Sequence, residues 1–208
     1  MLRRFLFGAL VVSLASLATA GVPDLNTSTA TIDPAADGAN VFVVPLGTGA
    51  AFTDAKVQQG GGGNVTVDAT ITLTLRDTQG NLIFGYPFED MWLETSGGGL
   101  AFCEGGTVAD GSTDVNGETE WVDPLAGGGN SFGETTQVYI AGSPLATALN
   151  ITYNSADING DLQINLTDVN LFTPMLTSYD QEGDFNNDGN VNLTDVNLFV
   201  PAIGTGCN

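Results

Sequence analysis

The chain has 208 residues, with 24 acidic side chains, 4 basic side chains and no histidine, and its formal net charge is −20. This charge argues against nucleic acid and anionic membranes as partners. The absence of histidine removes the commonest general base and the commonest transition-metal ligand, which argues against many classes of enzyme.

The N-terminal residues have the pattern of an export signal. Leu2-Arg3-Arg4 precedes an apolar run over 5–17, and Ala18-Thr19-Ala20 follows it. This order is typical of a secretory signal peptide, and the run is shorter than the ~20 residues of a membrane span. We predict a signal peptide at 1–20 and a secreted, extracellular protein without a membrane span; attachment to a cell surface stays open. Only Lys56 and Arg76 would then oppose the 24 acids, for a net charge of about −22 (2 − 24).

Residues 21–152 contain short alternating runs separated by turn signals, with no long helical repeat. The predicted strands are 29–32, 40–44, 65–75, 81–84, 91–94, 100–102, 118–122, 137–140 and 148–153. In 65–75 every second residue is apolar, as in a strand with one buried face. The glycine runs 60–63, 97–99 and 127–129 are predicted turns. This spacing predicts an all-β, antiparallel sandwich.

Two loops within this region carry recognisable motifs. The first is Asp77-Thr-Gln-Gly-Asn-Leu-Ile83, and the second is Thr113-Asp-Val-Asn-Gly117. Together they resemble loops of bacterial immunoglobulin-like modules of the invasin type. The resemblance implies an immunoglobulin-like β-sandwich over 21–152, and a fold of this kind does not specify a function.

Four aromatic residues lie in the strand-like runs: Trp92, Phe102, Trp121 and Tyr139. We predict that they belong to the core of the sandwich, where large aromatic side chains are usually buried. The alternative is a carbohydrate-binding platform, which would require several of them to be exposed in a row.

Four acidic residues lie close together in sequence: Glu89, Asp90, Glu94 and Glu104. A pair of carboxylates is the machinery of many glycosidases. However, these residues adjoin short strands and glycine loops, and a sandwich of this size has little room for a deep cleft. We therefore predict a non-catalytic protein.

The chain has two cysteines, Cys103 and Cys207. An even number of cysteines in an exported protein favours a disulfide. This bond would connect the β domain to the C-terminal end of the chain. Two separate thiols, or pairing between two chains, are the alternatives.

A motif occurs twice near the C-terminus, at 157–168 and again 27 residues later at 184–195. Each copy has oxygen-bearing side chains at loop positions 1, 3, 5, 9 and 12, which is the spacing of an EF-hand calcium loop. The predicted ligands are Asp157, Asn159, Asp161, the Gln163 carbonyl, Asn165 and Asp168, and then Asp184, Asn186, Asp188, the Asn190 carbonyl, Asn192 and Asp195. We predict two bound Ca²⁺ ions. The alternative is a pair of Asx-rich turns that bind nothing.

The copies differ at loop position 6, where Leu162 replaces the glycine found at Gly189. If this position requires a positive φ, leucine costs about 1–2 kcal/mol there. We therefore expect the first site to be the weaker of the two.

Each loop precedes an apolar helical segment but does not follow one. Two such half-hands resemble the dockerin family over 155–208. The resemblance implies a small α-helical, calcium-folded module that docks onto a cohesin-like module or a surface scaffold protein, in connection with polysaccharide degradation. It also implies that loop positions 10 and 11 contact the partner, namely Leu166, Thr167, Leu193 and Thr194.

We therefore expect a secreted, non-catalytic protein that docks to a cohesin-type partner or an extracellular scaffold. The alternative is a structural or adhesive cell-surface protein in which calcium only stabilises the fold or self-association. A small glycan-binding module is a third class.

Overall fold

The computed structural model describes residues 21–207, and the signal peptide predicted at 1–20 lies outside these residues. The described chain is mostly β, with only two short α-helices. The strands are β1 Thr29–Thr31, β2 Ala39–Val43, β3 Ala55–Gln58, β4 Asn64–Val67, β5 Ile71–Thr74, β6 Met91–Thr95, β7 Leu100–Phe102, β8 Glu118–Trp121, β9 Gly127–Gly129, β10 Thr136–Ile140, β11 Ser143–Pro144 and β12 Ile151–Ser155. The α-helices are α1 Leu166–Met175 and α2 Leu193–Ala202, and single 3₁₀ turns occupy Pro34–Ala36, Phe52–Asp54, Phe88–Asp90 and Gln181–Gly183.

The strands form four small sheets, with the orders β1-β5-β8, β11-β10-β6, β12-β2-β3-β4 and β7-β9. All of the strand pairs are antiparallel except β12 with β2, which run parallel with Thr152 opposite Asn40. The prediction of a wholly antiparallel arrangement is therefore wrong at this pair. Parallel strands need a long crossover, and here most of the β region, defined as residues 21–155, lies between the two strands.

The main core lies between the inward faces of these sheets. Alternation places Ile71 and Leu73 of β5 inside, and Thr72 and Thr74 on the half-buried opposite face. Trp121 is fully buried in the same cluster. Burying each large apolar side chain contributes about 1.5–3 kcal/mol, so this core is the main source of stability in the β region.

The run 65–75 does not form the single predicted strand. It is broken at 68–70, where the Asp68 carboxylate accepts hydrogen bonds from the Thr70 amide at 2.9 Å and the Thr70 hydroxyl at 2.6 Å. Such an Asx turn competes with the sheet ladder. As a result β4 joins β3, β5 joins β1 and β8, and Val65 is 45% exposed.

Further segments differ from the sequence prediction, and strands β3 and β11 lie outside the predicted runs. Residues 81–84 form only an isolated bridge between Leu82 and Arg76. The glycine run 127–129, which was predicted to be a turn, is the buried strand β9 paired with β7. Glycine carries no side-chain pattern that could indicate a strand.

The aromatic residues divide between the core and the surface. Trp121 is in the core as predicted, but Phe102 is 40% exposed. Trp92 and Tyr139 lie half-buried on the outer face of the β6–β10 pair, with ring centroids 5.6 Å apart and an interplanar angle of 19°. The core prediction is wrong for these three. Met91 and Leu93 occupy the inward positions of β6 beside Trp92, and Val138 and Ile140 occupy those of β10 beside Tyr139.

A second apolar cluster joins the C-terminal region to strand β2. Phe172 of α1 stacks on Phe199 of α2 at 4.7 Å, and Phe185 lies 5.4 Å from Phe42 of β2. Strand β2 is buried throughout because its two faces contact different clusters. Strand β12 continues to Ser155, across the predicted domain boundary at 152–155.

The two cysteines meet beside this second cluster. Cys103 and Cys207 form a disulfide with their Cα atoms 5.5 Å apart, which connects the end of β7 to the C-terminal segment. The Cys207 amide also donates to the Leu162 carbonyl at 3.3 Å. Among residues 21–207, neither helix is long and apolar enough to cross a bilayer.

Candidate metal centre

The first turn of each helix places the last acidic residue of each repeated loop. Asn165 caps α1 by accepting from the Thr167 amide at 2.8 Å, and the Asp168 carboxylate accepts from the Asn165 amide at 2.9 Å. Asn192 and Asp195 repeat this capping box at α2, with the same two distances. The capping box satisfies amides that the helix leaves unpaired, so it holds both carboxylates towards their loops.

The first loop, residues 157–168, wraps around two carboxylates. Asp157 accepts from the Asp161 amide at 3.2 Å and from the Leu162 amide at 2.8 Å. Asp168 accepts from the Asn159 amide at 3.3 Å. The backbone of the loop is thereby curved around the side chains of positions 1 and 12.

The second loop, residues 184–195, repeats this arrangement. Asp184 accepts from the Asp188 amide at 2.9 Å and from the Gly189 amide at 2.7 Å. Asp195 accepts from the Asn186 amide at 3.2 Å. Equivalent donors therefore reach equivalent carboxylates in both loops, so the sequence repeat is also a structural repeat.

Burial is most complete at the four carboxylates of positions 1 and 12. None of them is more than 1% exposed: Asp157, Asp168, Asp184 and Asp195. Desolvation is the main reason that the pKa of Asp157 rises to about 6, and it also raises the pKa values of Asp184 and Asp195. A buried carboxylate is stable in its charged form only beside a positive charge or several donors.

The two basic side chains of the described region are used elsewhere. Lys56 donates to the Thr66 hydroxyl at 2.6 Å, and Arg76 donates to the Gly80 carbonyl at 2.9 Å. Within residues 21–207 the loop carboxylates are therefore opposed by hydrogen-bond donors without a basic side chain: backbone amides, the side-chain amides of Asn159 and Asn186, and the Tyr179 hydroxyl, which donates to Asp184 at 3.3 Å.

The remaining predicted ligands lie around the same loops. Asn159 and Asp161 are joined by a 2.9 Å hydrogen bond, and Asn186 and Asp188 are joined by another of the same length. The asparagines at position 9, Asn165 and Asn192, use their side-chain oxygens to cap the helices. This favours binding of an ion through a water molecule rather than directly. The predicted carbonyl ligands belong to exposed residues, Gln163 and Asn190.

Within residues 21–207, no group of three or more His, Cys, Asp or Glu side chains is arranged as a metal cluster. The three aspartates predicted as ligands in each loop are therefore not assembled as such a group, and the two bound Ca²⁺ ions stay a prediction. The donor set here contains only oxygen atoms, and it therefore fits a hard cation such as Ca²⁺ better than a soft transition metal.

Both loops adopt a left-handed backbone at positions 4 and 6. Position 6 has φ of +66° at Leu162 and +84° at Gly189. The condition under which leucine would be costly at position 6, a positive φ, is therefore met in the structure. Position 4 has φ of +68° at Gly160 and +54° at Asn187. Leucine is the least suited of these four residues, since its branched side chain crowds the backbone in this region.

The predicted partner-binding residues lie at the starts of the two helices. Leu166 and Leu193 are each 70% exposed, and Thr167 and Thr194 beside them are also exposed. Thr194 additionally borders a groove of about 900 Å³ between α2 and strands β2 and β3. The unbroken apolar run over 41–44 was the available signal that both faces of β2 are covered, because a strand without polar alternation needs cover on both faces.

No protein-family model and no curated protein matches the chain. Among solved structures, the crystal structure of the Lin-41 filamin domain matches at 13% identity with a TM-score of 0.29. The match covers 62% of this chain and 95% of that domain. A TM-score this low supports no inference about fold or activity.

Proposed function

We propose that the chain is an exported, non-catalytic calcium-binding protein. In this proposal its dockerin-like unit, residues 155–208, attaches an immunoglobulin-like β domain to a cohesin-type partner. The observation that supports it best is the pair of matching loops, each curved around two buried carboxylates. Chance Asx turns would not be expected to repeat the same donors, the same helix caps and the same burial.

Each loop would hold one Ca²⁺ through the side chains of positions 1, 3, 5 and 12 and the carbonyl of position 7. The ion would supply the positive charge that the buried carboxylates lack. Because an ion that binds only the folded state stabilises it by mass action, the loops would order fully only with calcium. The acidic surface would remain soluble and would disfavour nucleic acid as a partner.

The docking surface would consist of the exposed Leu-Thr pairs at the two helix starts. Leu166 and Leu193 have equal exposure, and each occupies position 10 of its own loop. An exposed leucine beside a hydroxyl offers an apolar contact with an adjacent hydrogen bond. This chemistry would fit a partner surface of mixed polarity.

A second candidate function is favoured by the packing of the C-terminal unit. Phe185 contacts Phe42 of β2, and a disulfide joins Cys103 to Cys207. A unit held this closely could serve mainly to complete the fold of a structural or adhesive surface protein. In that case the calcium would stabilise the fold and no cohesin-type partner would be needed.

A binding assay separates the two functions. The full chain without residues 1–20 is applied to an immobilised cohesin-type module, with calcium or with chelator. Under the docking proposal we expect capture only with calcium, and at least tenfold weaker capture after the double change Leu166→Asp and Leu193→Asp. The matched control is Val115→Asp, which alters a residue that is 75% exposed in a turn of the β region.

The outcomes distinguish the proposals. Calcium binding without capture by a panel of cohesin-type modules would favour the structural function. No calcium binding in calorimetry would contradict both proposals. Equal capture of the Leu166→Asp and Leu193→Asp double variant and the Val115→Asp control would reject the Leu-Thr surface as the docking site.

A further inference from the structure

We infer that the β region forms part of both calcium sites, and that Gly128 is a positioning residue for the Asp157 carboxylate. This inference rests on the calcium binding proposed above and extends it to residues outside the repeated motif. Its basis is that a glycine-rich segment of the β region lies against each loop.

Strand β9 lies directly on the first loop. The Gly129 amide donates to the Asp157 carbonyl at 2.7 Å. A Cβ atom added to Gly128 would overlap Asp157 Oδ2 and would lie 2.7 Å from its Cγ. The backbone of Gly128 is not left-handed, so the requirement for glycine here concerns space and not conformation.

The next residue of β9, Gly129, is also in van der Waals reach of the first loop. A Cβ on Gly129 would be 3.7 Å from the Cα of Gly160, the fourth residue of the first loop. Strand β9 is also held from its other side by β7, which leads to Cys103 and the disulfide. Strand β9 therefore cannot move away easily from a side chain introduced at Gly128, and the Asp157 carboxylate would have to move instead.

The turn between β3 and β4 covers the second loop. The Gly63 amide donates to the Asp188 carbonyl at 2.6 Å, and the Asn64 side-chain amide donates to the Asn186 carbonyl at 2.6 Å. In the opposite direction the Asn187 side chain donates to the Lys56 carbonyl at 3.0 Å. The backbone groups of loop positions 3 and 5 are therefore held by the β region.

Strand β12 adds a third contact at the start of the second loop. The buried side-chain amide of Asn154 donates to the Asp184 carbonyl at 3.1 Å and to the Gln181 carbonyl at 3.2 Å. Position 1 of each loop thus has its carbonyl bound by a donor from the β region. Groups that orient metal ligands from behind commonly change metal affinity by about 10–100-fold when they are altered.

The closest alternative is that these contacts pack the two parts together without affecting the metal. Gly128→Ala in the full chain without residues 1–20 distinguishes the two interpretations. The matched control is Gly60→Ala, because a Cβ there meets nothing within 4 Å and the φ of Gly60 is not left-handed. Calcium affinity and stoichiometry are measured by calorimetry, and folding in chelator is measured by circular dichroism and thermal unfolding.

We expect Gly60→Ala to retain two sites of the original affinity. Gly128→Ala should leave the affinity of the second site unchanged and weaken calcium binding at the first site about 10–100-fold. Asn64→Ala tests the second loop independently, because it removes the bond to Asn186 without adding bulk. Asn64→Ala should weaken calcium binding at the second site and leave the affinity of the first site unchanged.

Failure of this inference can be told apart from failure of the proposed function. If the unaltered chain binds no calcium, the proposed function fails. If it binds two ions and both Gly128→Ala and Asn64→Ala match Gly60→Ala in affinity, the β region has no part in the sites. If Gly128→Ala does not fold, Asn64→Ala alone decides, and an unchanged affinity at both sites overturns the inference.

Discussion

The two repeated loops share the hydrogen bonds to the carboxylates of positions 1 and 12 but distribute their glycines differently. Each loop has two left-handed positions, the fourth and the sixth. The first loop has glycine at position 4 and Leu162 at position 6, whereas the second has Asn187 at position 4 and Gly189 at position 6. Each loop therefore contains one glycine and one substituted residue where the backbone has a positive φ.

The substituted residues are not equivalent. Asparagine is enriched in the left-handed region, whereas leucine there costs about 1–2 kcal/mol. The first loop has a compensating contact, because the Cys207 amide binds the Leu162 carbonyl and an isolated bridge joins Gln163 to Gly206. The comparison shows that the left-handed residue of the first loop is held by the segment that carries the disulfide, whereas that of the second loop, Asn187, is held by the β region through its bond to the Lys56 carbonyl.

Removing calcium should lower the stability of the folded chain more than any other change. It should also reveal the difference in calcium affinity between the two loops most clearly. At free calcium 1,000-fold above the dissociation constant, each site stabilises the folded chain by about 4 kcal/mol. Thermal unfolding at a series of buffered calcium concentrations should show two losses of stability, with the first loop emptying at the higher calcium concentration. Asp157→Ala and Asp184→Ala assign the two steps. A melting temperature independent of calcium would contradict the prediction.

Removing the disulfide should have the next largest effect. The bond spans 104 residues, and removing a native disulfide from a secreted domain typically costs about 2–5 kcal/mol. We expect the double change Cys103→Ser and Cys207→Ser to lower the free energy of unfolding by this amount in urea titrations. Because the bond lies beside Leu162, the calcium affinity of the first loop should fall more than that of the second. Reductant should reproduce the loss in the unaltered chain and have no effect on the variant.

The third-largest effect should be a dependence of the stability of the calcium-free protein on pH. The pKa of Asp157 is raised to about 6, mainly by burial, from an ordinary value near 3.8. Protonation therefore favours the folded state: this contribution is fully present below pH ~3.8 and is lost as the pH rises through about 6. Calcium-free protein should unfold at lower urea at pH 7.5 than at pH 5. Asp157→Asn should reduce this difference, and an identical difference in that variant would contradict the assignment to Asp157.

The smallest change in stability should come from replacing Leu162 with glycine, which gives both loops a glycine at position 6. Leu162→Gly relieves the left-handed strain but adds flexibility to the unfolded chain, so we expect a net gain of no more than about 1 kcal/mol. The affinities of the two sites in calorimetry should become more similar. Asn187→Gly is the matched control and should change little. A loss of affinity after Leu162→Gly would show that the side chain of Leu162 stabilises the first loop.

The sequence by itself determined the features that depend on local spacing. The positions of the repeated acidic residues predicted both loops and the start of each helix, because an Asn cap and an Asp three residues later satisfy the first amides of a helix locally. The left-handed backbone at Leu162 was also predictable, since the second copy has Gly189 at the same position. The alternation over 71–75 likewise predicted which face of β5 is buried.

The tertiary structure decided the features that depend on contacts between distant segments. Nothing local indicated that β2 pairs in parallel with β12, or that the glycine run 127–129 is a strand against the first loop, because glycine has no side chain from which a pattern can be recognised. The sequence analysis placed Trp92 in a strand correctly but assigned it to the core, whereas the packing of Met91 and Leu93 turned it outward. Strand pairing and side-chain orientation depend on which surfaces pack against each other. The pattern of residues along the chain does not indicate which distant segments come into contact.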